Sequence, residues 1–208
     1  MRGRKLSGRL GALLCCAALG LTVLQTGSVA LGQRRGAADG GRRQQDILGT
    51  VVGVGGRFGG RTASFRLVVN SYTSAEEVGQ LNAALRSGGQ EELLRTLSRM
   101  KAGRIIVGNG VGVDANAVIA MPQENGTKII VLYERNINFY EARQGTRSQD
   151  YKFGYAEIFL RRRGNSEGTF IPAAKVRLRD GNTWEVEDFG VFPARLMGLQ
   201  SRGGGLVR

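Results

Sequence analysis

The residue types that are missing from the chain restrict its chemistry first. The chain of 208 residues has no histidine, and its two cysteines are adjacent at Cys15 and Cys16. Without histidine, Ser-His-Asp and Cys-His nucleophilic systems are excluded, as is histidine-ligated zinc, copper or haem. Both cysteines lie in a segment that we expect to be cleaved, which also removes thiolate metal sites and Cys-x-x-Cys redox chemistry. The sequence therefore predicts neither a metal site nor a cofactor.

Aromatic, basic and acidic side chains concentrate between residues 133 and 155. The candidate ligand-binding residues of this segment are Tyr133, Arg135, Tyr140, Arg143, Arg147, Asp150 and Tyr155. Because guanidinium groups match carboxylate or phosphate, arginines beside aromatic rings are typical of a site for an anionic or sugar-like ligand. The alternative, which the sequence favours, is a structural loop over residues 141–150, tied to the domain by Arg147–Asp150 or Arg143–Glu141 contacts.

Paired carboxylates are the one catalytic system that the composition leaves open. The candidates are Glu134, Glu141, Glu157 and Asp188. Glycoside hydrolysis requires two carboxyl groups about 5–10 Å apart in one cleft, and sequence spacing does not establish that distance. The glycine-rich stretch at residues 53–61 does not add a phosphate loop, because it lacks a Gly-Lys-Ser/Thr ending and no helical pattern follows it.

Residues 1–30 have the pattern of a cleavable signal peptide. The first nine residues hold four basic residues and no acidic one, and an apolar run follows from Leu10 to Leu24. Small residues at Ser28 and Ala30 suit signal peptidase. The run has about fifteen residues, fewer than the roughly 20 of a spanning helix. We therefore expect cleavage after Ala30 and a secreted or periplasmic protein without a transmembrane span. Acylation at a cysteine is less favoured, because neither cysteine follows a small residue.

Most of the positive charge lies outside the predicted domain. Removing residues 1–30 lowers the net charge from +13 to +9. Residues 31–45 hold four arginines and little apolar surface, so we expect a disordered basic linker, and a second disordered tail at residues 201–208. Residues 46–200 have a length typical of a single domain. They include 20 basic and 16 acidic residues, and because this balance is close to even, we expect no specific nucleic-acid partner. A linker that binds polyanions or the envelope surface is an alternative role.

Short apolar segments separated by turn residues predict a mainly β fold. About nine strands at this spacing are typical of an antiparallel β-barrel or sandwich. The expected strands, apart from a C-terminal hairpin, are Ile47–Val54, Thr62–Tyr72, Arg104–Val113, Asn116–Met121, Thr127–Arg135, Tyr151–Arg161, Gly168–Ala173 and Ala194–Leu199. Helical periodicity is confined to residues 74–101. Ser74 and Glu77 form a capping box there, and Gly88-Gly89 separates two helices, so an inserted αα-hairpin is predicted.

The C-terminal hairpin has a register that residue types alone predict. With Asp180-Gly181-Asn182 as the loop, the apolar residues pair with each other and each basic residue faces an acidic one. The predicted pairs are Leu178–Trp184, Val176–Val186, Arg177–Glu185 and Lys175–Glu187. Trp184 is expected in the core, where truncation to alanine costs about 3–5 kcal/mol.

Several stretches resemble a family of exported bacterial proteins without an assigned activity. They are YTSAEEVGQLNAALRSGGQEELLRTLSRM, INFYEARQGTRSQDYKFGYAEIFL, EGTFIPAAKVRL and WEVEDFGVFPARL. The resemblance covers roughly residues 64–199 and implies a single exported domain, and it carries over no catalytic residue. We expect a non-enzymatic domain that binds a small ligand or a protein partner in the cell envelope. A histidine-free hydrolase is the alternative, and the oligomeric state stays open.

Overall fold

The computed structural model describes residues 44–54, 59–136, 147–179, 183–189 and 194–203. Within these ranges the chain forms ten strands and one interrupted helix, so the prediction of a mainly β fold is confirmed. A 3-10 helix at Arg147–Asp150 precedes the seventh strand. The elements are β1 Gln45–Val52, β2 Thr62–Val69, α1 Ala75–Leu97, β3 Gly103–Val107, β4 Val113–Ala115, β5 Ala117–Gln123, β6 Gly126–Glu134, β7 Phe153–Arg161, β8 Glu167–Arg179, β9 Thr183–Asp188 and β10 Ala194–Gly203.

All ten strands belong to one antiparallel sheet. Its order is β4-β3-β2-β1-β10-β8-β7-β6-β5, and β9 pairs with β8 beside this path. The outermost strands β4 and β5 are consecutive in the sequence with Asn116 between them, but no hydrogen-bonded ladder joins them in the described sheet. The sheet is therefore not closed into a barrel, and the fold is the sandwich-like alternative.

The sheet curls so that both of its halves share one apolar core. Phe65, Leu67 and Val69 alternate with exposed or half-buried residues on β2, as the sequence predicts, and are almost fully buried. They belong to the same buried cluster as Val131 of β6 and residues of β7 and β8. The rings of Phe65 and Phe170 meet edge-to-face with 6.3 Å between their centroids. We call the face that carries this cluster the inner face of the sheet.

The helical segment between β2 and β3 is the predicted hairpin. Ser74 Oγ accepts a hydrogen bond from the Glu77 backbone N–H, and Glu77 Oε2 accepts one from the Ser74 N–H, which completes the capping box. Helical geometry is interrupted at Gly89, whose φ of 60° favours glycine. A straight helix of 23 residues spans about 34 Å. The Asn70 N–H, however, donates to the Ala102 carbonyl at 2.9 Å, so the chain reverses between these points.

The helical hairpin covers part of the outer face of the sheet. Leu81, Leu85, Leu93 and Leu97 of α1 are buried. They form a second apolar cluster with residues of β5 to β8, among them Tyr155. Short helices are stable through this kind of packing rather than through propensity. The rest of the outer face, towards the far ends of β7, β8 and β10, carries mostly polar side chains.

The C-terminal hairpin has the predicted register. Leu178 pairs with Trp184 and Arg177 with Glu185, and the other two predicted pairs are also present; loop residues 180–182 lie outside the described residues. The prediction that Trp184 is a core residue is wrong, because this side chain is only half-buried. Its indole Nε1–H donates to Asn82 Oδ1 at 2.6 Å, so it joins the β8–β9 hairpin to α1.

Several predicted boundaries differ from the observed ones. The strand expected at Arg104–Val113 is two strands, because the chain turns at Gly108 and Gly112, which both have positive φ. Gly168–Ala173 continues into the hairpin as the long strand β8. Residues 201–203, expected in a disordered tail, extend β10 and pair with residues 45–47 of β1, so Gln45, expected at the end of the linker, belongs to β1 instead.

None of the described helical residues forms a segment long and apolar enough to cross a membrane.

Candidate functional site

Two tyrosines of the predicted site lie on opposite faces of the sheet. Tyr133 belongs to the inner cluster and is 6% exposed, with its ring packed over Gly154 of the neighbouring strand. Tyr155 belongs to the outer cluster beneath α1. Burial raises the pKa of the Tyr133 hydroxyl far above its ordinary value. Burial, followed by its bond to Glu157, does the same for Tyr155. Both tyrosines are therefore neutral near pH 7, and they do not share a binding surface.

The other described members of the predicted site hold the base of a loop. The Arg135 backbone N–H donates to the Lys152 carbonyl at 2.9 Å, and its Nη1 donates to the Tyr151 carbonyl at 3.4 Å. Asp150 is exposed at the end of the 3-10 helix, which begins at Arg147. Tyr140, Arg143 and the side chain of Arg147 lie outside the described residues. The described members therefore do not converge on one ligand position.

A different group of side chains lines a recess on the polar part of the outer face. This recess, the outer cleft, has a volume of about 780 Å³ and opens to solvent across β7, β8 and β10. The side chains that line it include those of Glu157, Phe159, Arg161, Glu167, Thr169, Arg195 and Met197. The residues are spread over about 40 positions of sequence, and the sheet brings them together.

The strand register places these residues in rows across the sheet. Thr169 of β8 lies opposite Glu157 of β7 and opposite Arg195 of β10. Strands are about 4.8 Å apart, so the backbones of Glu157 and Arg195 are separated by about 10 Å with Thr169 between them. In the next row, Phe159 lies opposite Glu167. A carboxylate, a hydroxyl and a guanidinium therefore follow one another across the cleft.

Glu157 is oriented by two neighbours that bind the same oxygen atom. Its Oε2 accepts a hydrogen bond from the Tyr155 hydroxyl at 2.8 Å and lies 2.9 Å from the Lys128 ammonium. Its other oxygen, Oε1, has no hydrogen-bond or ion-pair partner among the residues that the structure describes. The carboxylate of this lining residue is thus held in position, with one acceptor atom unpaired among the described residues.

The second carboxylate of the cleft has a cation of its own. Glu167 Oε1 lies 2.8 Å from Arg161 Nη2, and the Arg161 guanidinium also lies over the Phe159 ring, 5.1 Å from its centroid. This arrangement combines an ion pair with a cation–π contact. Glu167 and Arg161 therefore neutralise each other at the edge of the cleft.

Arg195 and Thr169 differ from these residues because both are available to a ligand. Within the described ranges, Arg195 has no acidic partner and the Thr169 hydroxyl has no hydrogen bond. Arg195 is exposed and Thr169 is half-buried. A guanidinium without a partner, beside a free hydroxyl, is able to bind an anionic group with two parallel hydrogen bonds.

Sequence reasoning identified only one member of this cleft. Glu157 was a carboxylate candidate, and its place on the face of Tyr155 and Phe159 was the one local signal. Glu134 is exposed at the end of β6 and Asp188 ends β9, neither of them in the cleft, and Glu141 lies outside the described residues. Among the described residues, Glu157 and Glu167 are the two carboxylates that line the cleft. No group of three His, Cys, Asp or Glu side chains that could hold a metal occurs in the described part of the chain.

Comparison with known proteins gives no assignment to set beside this geometry. No protein-family model, curated protein or solved structure matches the chain. The resemblance to a family of exported bacterial proteins therefore stays a prediction.

Proposed function

We propose that this protein is an exported, non-enzymatic β-domain that binds a small ligand, or a side chain of a protein partner, in the outer cleft. The observation that carries the proposal is the Arg195 guanidinium, which has no acidic partner among the described residues, in a cleft whose other charged side chains are paired. Export rests on the signal-peptide pattern of residues 1–30 and places the domain in the cell envelope or outside it.

The state of the two carboxylates favours binding over catalysis. Glycoside hydrolysis requires one carboxyl group that donates a proton and a second that acts as base or nucleophile. In the outer cleft, Glu157 is neutralised by Lys128 and Glu167 by Arg161. Two carboxylates with separate cations do not form the coupled pair that this chemistry needs.

A hydrolase is retained as the second candidate because Glu157 and Glu167 line one cleft. It differs from the binding proposal in one observable respect. A hydrolase consumes the molecules that it binds, and Glu157→Gln stops that consumption while the ligand still binds. A binding domain leaves them unchanged.

The proposal is tested by mapping where small molecules bind to the isotopically labelled protein. We expect acidic members of a fragment library to shift the backbone amide signals of β7, β8 and β10 around Thr169. Arg195→Glu should abolish these shifts, because it replaces the free cation with a repelling charge. Arg202→Glu is the matched control, since Arg202 is an exposed arginine of the same strand outside the cleft.

Two kinds of result would contradict the proposal. If the fragments shift another surface, or if the shifts survive Arg195→Glu, the outer cleft is not the binding site. If a fragment is converted to product over hours and Glu157→Gln prevents this, the hydrolase replaces the binding domain.

A further inference from the structure

We propose that the ligand of the outer cleft is a small monocarboxylate that also carries neutral hydroxyl or amide donors. The inference rests on the proposed binding function and deepens it by naming the chemical class of the ligand. It follows from the charges of the cleft, from the atoms left open in it and from its apolar surface.

The charges of the cleft leave a single positive group. Among the described residues that line it or form an ion pair with a lining residue, three are basic, Lys128, Arg161 and Arg195, and two are acidic, Glu157 and Glu167. Lys128 pairs with Glu157 and Arg161 with Glu167, so Arg195 has no acidic partner within this set. One carboxylate on the ligand balances Arg195, whereas a second anionic group would face Glu157 or Glu167.

The open oxygen of Glu157 selects a neutral donor rather than a second cation. Its Oε1 has no partner within the described ranges, but the Lys128 ammonium lies 2.9 Å from the other oxygen of the same carboxylate. An ammonium group on the ligand would lie close to Lys128 and be repelled by it. A hydroxyl or an amide N–H donates to Oε1 without that repulsion. The Thr169 hydroxyl, between Glu157 and Arg195, accepts or donates a further hydrogen bond.

Apolar surface next to this row gives the ligand a second contact. Phe159 is half-buried in the adjacent row, and Met197, which is 52% exposed, lines the same cleft from β10. Exposed apolar side chains beside a polar row are typical of sites that hold the carbon skeleton of a polar ligand. The C–H face of a sugar ring and a short acyl chain both fit this description.

The test compares probes that differ in one charged group. D-glucuronate, D-glucose and D-glucosamine form the hydroxyl series. In the amide series, N-acetylglycine carries an amide donor and glycine has an ammonium group in its place. Affinity is read from amide shifts of residues around Thr169 at constant ionic strength. We expect D-glucuronate to bind about three- to tenfold more tightly than D-glucose, the range of a partly exposed, charge-assisted contact. N-acetylglycine should exceed glycine by a similar factor, and D-glucosamine should be the weakest sugar.

Variants assign the preference to particular atoms. Arg195→Gln should abolish the preference for D-glucuronate over D-glucose. Thr169→Val, which keeps the shape of the side chain, should weaken both sugars equally. Arg202→Gln removes one positive charge from the same strand outside the cleft and should change neither. The two donor series show whether hydroxyl or amide donors are preferred.

The outcomes separate this inference from the proposed function. If D-glucose or D-glucosamine matches D-glucuronate, or if none of the probes shifts the cleft although acidic fragments do, the ligand class is wrong and the binding function stands. If neither probes nor fragments shift residues around Thr169, both are wrong. Loss of the glucuronate preference in Arg202→Gln as well as in Arg195→Gln would show a general charge effect and would also overturn the inference.

Discussion

The contact between Tyr133 and Gly154 allows a sharp prediction about the strand pair β6–β7. The two residues lie opposite each other in register, and the tyrosine ring occupies the space beside the glycine. A Cβ atom added at Gly154 would lie 1.9 Å from Tyr133 Cζ, whereas carbon atoms in contact are about 3.5–4.0 Å apart. Gly154 does not have a positive φ, so the overlap with the ring, and not the backbone conformation, makes alanine unsuitable there.

The cost of Gly154→Ala follows from where the ring is. Tyr133 is 6% exposed and packed in the inner core, so the ring cannot move into solvent to relieve the overlap. Overpacking a core costs about 1–3 kcal/mol, and an overlap of this size puts Gly154→Ala at the upper end, about 3 kcal/mol. For a domain of this length, that corresponds to a fall of about 6–12 °C in the midpoint of thermal unfolding.

A double-mutant cycle isolates the contact. Tyr133→Ala alone should cost about 3–5 kcal/mol as a large-to-small core substitution. In the Tyr133→Ala background the clash is absent, so Gly154→Ala should be neutral or stabilise by up to about 1 kcal/mol, because alanine restricts the unfolded chain. Urea unfolding monitored by circular dichroism gives all four free energies.

Gly79→Ala is the control for the effect of adding a methyl group to a glycine. Gly79→Ala lies on an exposed helical position where a Cβ meets nothing within 4 Å, so it should stabilise the protein by about 0.5–1 kcal/mol. If Gly154→Ala costs the same with and without the Tyr133 ring, the free energies add and the packing explanation is wrong.

Two further predictions concern the C-terminal hairpin and its surroundings. Trp184→Phe keeps an aromatic ring but removes the indole donor to Asn82, so it should cost about 1 kcal/mol, while Trp184→Ala costs about 2–3 kcal/mol for a half-buried side chain. Urea unfolding measures both costs, and a Trp184→Phe variant as stable as the wild type would show that the hydrogen bond to Asn82 contributes nothing. Tyr151→Phe removes the hydrogen bond that is the largest cause of the lowered pKa of Glu187, so this pKa should rise towards its ordinary value. A carboxylate with a lowered folded-state pKa stabilises the fold above its unfolded pKa, and this contribution disappears as the pH falls through the folded pKa. Carbon-detected NMR titration of the carboxyl groups measures the shift, with Glu91 as the control because Lys152 lowers its pKa instead; an unchanged Glu187 pKa would contradict the assignment.

Local patterns in the sequence were sufficient for several elements. The capping box at Ser74, the break at Gly89 and the register of the β8–β9 hairpin are all present as predicted. These features depend on residues a few positions apart, and a slip of one residue in the hairpin would pair apolar side chains with charged ones. Trp184 shows the limit of such patterns. The alternation of apolar and polar residues indicates which face of a strand is apolar, but the depth of burial depends on what covers that face. For Trp184, the covering element is a helical hairpin about a hundred residues earlier in the sequence.

The outer cleft depends on strand pairing that the sequence does not display. Glu157 and Arg195 are brought to one row only because β10 returns to pair with β8 while β7 pairs with the opposite edge of β8. Tyr133 and Tyr155, which looked like one site, are separated because they lie on opposite faces of the sheet. The residues alone establish which chemistry is missing, since an absent histidine cannot be supplied by folding. Whether a charged side chain has a partner depends on residues that are distant in the sequence and are brought close by folding. In the folded sheet, Arg195 has no acidic partner among the described residues.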